Sequence, residues 1–128
     1  MNILSIIHAD PDVIHRLTYN ITKTSVVFTW DPPLVKNGII MGYITYVNYT
    51  TTIRSSENNV TSYNVTRGSW EVATKETRAE FEIVYGNVTY IACVAARTSV
   101  GLGSCSNHLT FSTSKILIFS ICDINHSL

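Results

Sequence analysis

Between residues 24 and 112 apolar side chains never recur at the three-, four- and seven-residue spacing that gives a helix one oily face; they alternate instead. Thr, Val, Ile and Tyr dominate this stretch, and their branched or flat side chains suit a pleated surface. The segment is therefore restricted to strands. In "SVVFTWDPP" Val26, Phe28 and Trp30 share one face and Val27 and Thr29 the other; Pro32 and Pro33 end the run because proline has no N–H for the ladder. "KNG" at 36–38 has turn chemistry, after which Tyr43, Thr45 and Val47 alternate with Ile44, Tyr46 and Asn48. The polar stretch "RSSENNVTS" at 54–62 is expected to be a loop, with "YNVT" and "SWEVAT" as short edge strands on either side of Gly68. Phe81 and Ile83 then share a face, "YGN" turns, Tyr90, Ala92, Val94 and Ala96 point inward, and "CSNHLTFST" makes a last strand. About seven short strands predict an antiparallel β-sandwich, since a sheet with one apolar face must cover it with another layer. Trp30, Tyr43, Phe81, Tyr90 and Val94 are its expected core residues.

A chain of 128 residues suits one domain with a single core. Nine Lys and Arg balance nine Asp and Glu, which leaves no basic face to neutralise a row of phosphates, so nucleic acid is not an expected partner. The N-terminal "MNILSIIHADPD" has no basic n-region, and no signal peptide is expected in it. "KILIFSICDI" near the C-terminus is shorter than the roughly 18 apolar residues of a bilayer span, so no membrane contact is expected of this segment.

Four landmarks follow one another along the chain: Pro11 with Val13 and Leu17, "VVFTWDPP", "GIIMGYITYV", and "YIACVAARTSVGLGSCS". In that order they resemble strand A, strand B with its core tryptophan at Trp30, strand C, and the F strand, FG loop and start of strand G of a fibronectin type III domain. The resemblance covers residues 11–113. It implies an all-β, seven-stranded, immunoglobulin-like antiparallel sandwich, with a leader at 1–10 and a C-terminal tail at 114–128 outside the fold. Val84 and Gly86 stand where the family often carries Leu and Pro ahead of its Tyr, so a looser corner is expected there. The segment between strands C and E is long, and no C′ strand is placed in it. "RTSVGLG" holds no Arg-Gly-Asp, so integrin binding is not implied. Gly101 and Gly103 are expected to supply the positive φ that reverses the FG hairpin.

If that hairpin is centred near Ser99, Cys93 and Cys105 face each other on neighbouring strands, within the reach of a disulfide. Cys122 is left over, in the tail. Asn-x-Ser/Thr sequons occur at Asn20, Asn48, Asn59, Asn64, Asn87 and Asn125, where chance pairing with this Ser and Thr content supplies roughly two. The first five are candidate glycosylation sites and Asn125, in the tail, the least credible. Bridge and sequons together point to the secretory route.

Nothing gathers for catalysis. His8, Asp10 and Asp12 read as a solvated leader rather than a cation clip, His15, His108 and His126 are isolated, and Trp30, Tyr43 and Tyr90 share inward parity. No enzyme, metal or cofactor is expected. Candidate partner-binding residues are Ile44, Tyr46 and Ile91 on the outer face of strands C and F, and Arg97, Val100 and Leu102 in the FG loop. The expected function is a protein-binding or spacer module of a cell-surface or extracellular adhesion or receptor protein, as a fragment of a longer multi-domain chain whose neighbours or protein ligand are its partners. The alternative is an intracellular scaffold module of the same fold.

Overall fold

The computed structural model describes residues 13–34 and 38–115. They form seven strands: β1 (His15–Ile21), β2 (Ser25–Asp31), β3 (Ile40–Glu57), β4 (Val60–Thr74), β5 (Arg78–Glu82), β6 (Gly86–Thr98) and β7 (Leu109–Lys115). All pairings are antiparallel, in a three-stranded sheet ordered β1-β2-β5 and a four-stranded sheet ordered β4-β3-β6-β7. The expected leader, with Pro11 and the His8, Asp10 and Asp12 group, lies outside the described residues, as do Lys36, Asn37, Cys122, Asn125 and His126.

Alternation gives each sheet one apolar face, and the two faces meet. Val26, Phe28, Trp30 and Phe81 from the first sheet pack with Tyr43, Val47, Tyr90, Val94 and Phe111 from the second, all buried. Aromatic pairs join the layers along their whole width. Tyr19 on β1 stacks on Phe111 of β7 at 3.9 Å, Trp30 on β2 meets Tyr43 of β3 edge-on at 5.5 Å, and Trp70 on β4 stacks on Phe81 of β5 at 5.2 Å. Such contacts are worth about 0.5–1.5 kcal/mol each beyond the area they bury, so both open sides and the centre of the sandwich are pinned.

The corner ahead of β6 is closed rather than loose. Fully buried Tyr90 accepts a hydrogen bond from the Val84 N–H at 3.1 Å through its hydroxyl, which ties the incoming chain to the strand it is about to join.

The middle of the chain departs from expectation. Residues 54–62 are not a loop: β3 and β4, of 18 and 15 residues, make one continuous hairpin paired from Tyr43 with Thr74 to Glu57 with Val60. Its turn is Asn58-Asn59, with φ of 53° and 66°, the two left-handed positions that a two-residue turn matched to strand twist requires. β3 pairs with β6 only up to Thr52, so beyond it the hairpin is a two-stranded ribbon with both faces in water. Gly68 does not divide β4 either. It lies opposite Tyr49, whose ring occupies the space a Cβ would need.

The last strand also begins later than expected. Arg97 bridges Leu102 at the tip while Ala92 pairs with Leu109, so five steps along β6 face seven on the returning chain, and two residues bulge. Within residues 103–108 the N–H groups of Gly103 and Ser106 still bond to the carbonyls of Ala96 and Val94, each at 2.8 Å. The buried Ser106 hydroxyl accepts the Val94 N–H at 3.1 Å, standing in for a ladder carbonyl. Strand β7 then continues to Lys115, two residues past the expected boundary at 113.

Candidate functional site

Among the described residues no set of reactive side chains collects at a point. Burial against the core raises the pKa of the Tyr43 phenol. Glu80 is held below the usual carboxylate range, first by a hydrogen bond from Arg78 at 2.7 Å and then by one from Ser25 at 3.1 Å. The first group lies in the core and the second on the exposed outer side of the three-stranded sheet. Among the described residues no group of three or more His, Cys, Asp or Glu could hold a metal ion, and no helix is long and apolar enough to cross a membrane. What the fold does present is surface, and three parts of it are distinctive.

The first is the end of the sandwich where β2 leads into β3 and β6 turns towards β7. Here Leu34, Ile39, Met41, Val100 and Leu102 are all exposed, Met41 at 57% and Val100 at 47%. Arg97, also exposed, stands beside Leu102 across the tip. The tip is held by Thr98, which donates its N–H to the Gly101 carbonyl at 2.9 Å and accepts the Val100 N–H on its hydroxyl at 3.2 Å. Gly101 has a positive φ, 158°, as expected, whereas Gly103 is not among the positive-φ residues. The turn thus rests on Thr98 together with Gly101, and not on Gly103. Met41 points out because the register of β3 on β6 shifts between Ile40 and Gly42; a bulge of this kind resets side-chain parity and leaves no mark in the alternation.

The outer face of the four-stranded sheet is less open than expected. Ile44 faces outward but is only 6% exposed: it sits between Ala73 and Ala95 in register, beside a hollow of about 240 Å³ also lined by Met41, Lys75 and Arg97. It is packed surface, with too little exposed for the partner contact expected of it. Tyr46 is half-buried and Ile91 42% exposed. Cys93, beside Tyr46 in register, is bonded to Cys105 with Cα atoms 5.7 Å apart. Cys105 lies in the bulged segment, not directly opposite on a strand.

The third feature is the distribution of sequons. Asn20, Asn48, Asn59, Asn64 and Asn87 are all exposed. Asn59 and Asn64 are on the ribbon, Asn87 pairs with Thr52 at its base, Asn20 is next to the end of β1 that turns into β2, and Asn48 is midway along β3. None of these five is at the apolar loop end. The residues expected in the core, Trp30, Tyr43, Phe81, Tyr90 and Val94, are all buried there. Exposed Ile53, Val60, Tyr63 and Val65 on the ribbon were not anticipated: Val60 lies in the stretch read as a loop, and "YNVT" was read as a short strand without its partner in β3.

The family model described as "Fibronectin type III domain" matches residues 12–112. No curated protein matches the chain. Among solved structures, the third fibronectin III domain of human KIAA0343 protein aligns with 18% identity and a TM-score of 0.60, over 86% of this chain and 87% of that one. The rat CD45 extracellular region aligns with 14% identity and a TM-score of 0.54, over 82% and 51% of the two chains. The twitchin kinase region from C. elegans aligns with 13% identity and a TM-score of 0.54, over 82% of this chain and 16% of that one. At these identities the likeness is one of fold.

Proposed function

Because the chain belongs to the fibronectin type III family, whose members are generally non-catalytic modules for protein contact or spacing, we propose that it is such a module of a cell-surface or extracellular adhesion or receptor protein, within a longer multi-domain chain. One observation carries this reading: the five exposed sequons lie away from the loop end at which Leu34, Ile39, Met41, Val100 and Leu102 are exposed, whereas the exposed apolar residues of the ribbon, Ile53, Val60, Tyr63 and Val65, sit among Asn59 and Asn64. Sugars are bulky and solvating, so the arrangement leaves one end free for a protein surface. The Cys93–Cys105 bridge supports an oxidising compartment, where disulfides persist.

On this reading Met41, Val100 and Leu102 are the apolar contacts of that end and Arg97 its charged neighbour, while Asn20, Asn48, Asn59, Asn64 and Asn87 carry N-linked sugar. The likeness to the twitchin kinase region, at 13% identity, is one of fold and does not weigh on the compartment. The test is the mass of the chain isolated from its native cells. Extra mass removed by an N-glycosidase, together with the two-hydrogen deficit of the bridge, is the expected result. A bare chain with free Cys93 and Cys105 overturns it in favour of an intracellular scaffold.

A further inference from the structure

β4 is the outer strand of the four-stranded sheet, bonded to β3 on one side only. Edge strands normally carry charged side chains, lysine above all, a proline or a bulge that discourages further pairing. Its sequence, "VTSYNVTRGSWEVAT", has no lysine or proline and only one charge of each sign, Arg67 and Glu71, and its register on β3 runs unbroken for its full length. A two-residue turn is closed by a hydrogen-bonded pair, here Glu57 with Val60, and such pairs alternate along an antiparallel ladder. Even-numbered residues of β4 therefore bond to β3. The Thr66 carbonyl, which also accepts the Thr51 hydroxyl at 3.3 Å, fits that direction. Odd-numbered residues aim their N–H and C=O at the open edge, and their side chains lie on the exposed outer face.

Two of those odd positions carry opposite charges. Arg67 and Glu71 are exposed, flank Ser69 symmetrically, and make no ion pair within the described residues. We propose that the chain dimerises with a second copy of itself by two-fold antiparallel pairing of β4 centred on Ser69, joining the two four-stranded sheets into one. In that register Arg67 of each copy stands directly opposite Glu71 of the other, twice by symmetry, and Val65 stands opposite Ala73 on the same face. Centring on Arg67 or on Glu71 instead would oppose two like charges, so the charge pattern favours the Ser69-centred register over those two. The occupant is a second copy because the complementarity is of the strand with itself. The proposal is independent of the compartment and of the apolar end.

The test uses the full 128-residue chain exported to the bacterial periplasm, where the bridge forms without sugar, and sedimentation velocity as the readout. A dimer is expected. Arg67→Glu alone and Glu71→Arg alone each turn two attractions into two repulsions and should weaken dimerisation about ten-fold or more, with the circular dichroism of the monomer unchanged. The double exchange Arg67→Glu with Glu71→Arg should restore it, which a loss of fold would not. A monomeric unaltered chain, single reversals without effect, or a double exchange that fails to restore the dimer each overturns the proposal.

Discussion

Tyr90 is wholly enclosed, yet its hydroxyl is satisfied because the Val84 N–H reaches it at 3.1 Å. Removing that oxygen strands an amide donor at a corner that has no other partner for it. Tyr90→Phe is therefore expected to cost about 1–3 kcal/mol, read as a lower urea midpoint with an unchanged slope; an unshifted midpoint would show that water takes the hydroxyl's place. Thr45 is the opposite case. It is fully buried, inward-facing between Val72 and Val94 in register, and its hydroxyl has no protein partner. Thr45→Val keeps the shape and the strand preference while removing a polar atom from apolar surroundings, so it should raise stability by about 1 kcal/mol. A drop in the midpoint would mean that the hydroxyl is hydrogen-bonded in solution after all.

Among elements, the β3–β4 ribbon is the one whose stability is local. Past Thr52 it has no third strand and no core beneath it, so its pairing rests on the turn and on cross-strand contacts such as the Ser55–Ser62 hydroxyl bond at 2.8 Å. Asn58 holds φ of 53°, a conformation that costs an ordinary residue roughly 1–2 kcal/mol. Asn58→Ala is expected to speed amide exchange at 53–64 by about ten-fold, while exchange at 43–52 and the global midpoint stay put. Asn58→Gly should restore slow exchange. A loss of global stability in the alanine variant would show that the ribbon belongs to the cooperative core. This element was illegible from polarity for the same reason that it is local: with both faces in water, Arg54 to Ser62 have no need to alternate, and only the Asn-Asn pair signals the turn. Strands with a buried face were legible at once, as Val26, Phe28 and Trp30 or Tyr90, Ala92 and Val94 show. Alternation also put Ile44 on the outer face correctly, but it says nothing of lateral neighbours, and Ala73 and Ala95 decide its exposure. The bulge at 103–108 was hidden likewise, since two inserted residues next to a glycine-bearing turn shift the start of β7 without altering its pattern.

For the whole molecule, nine positive and nine negative side chains cancel, so no strong net self-repulsion opposes the compact state near neutrality, and pH limits are set by individual groups. Glu80 governs little on the acid side: its depressed pKa adds stability that is present above the unfolded value and lost as pH falls through the folded one, but the carboxylate is exposed and its partners are screened. Tyr43 acts at the other limit. Its folded pKa is raised by burial, so in the unfolded chain the phenol gives up its proton first, near pH 10. The unfolded state is then favoured progressively, and stability intact below that pH is lost as pH rises through the folded value. The phenol ring packs edge-on against Trp30, a contact that Tyr43→Phe preserves. That variant should accordingly lose less stability than the unaltered chain between about pH 9 and 11, measured as urea midpoints at each pH. Parallel losses in the two proteins would place the alkaline limit elsewhere in the sandwich.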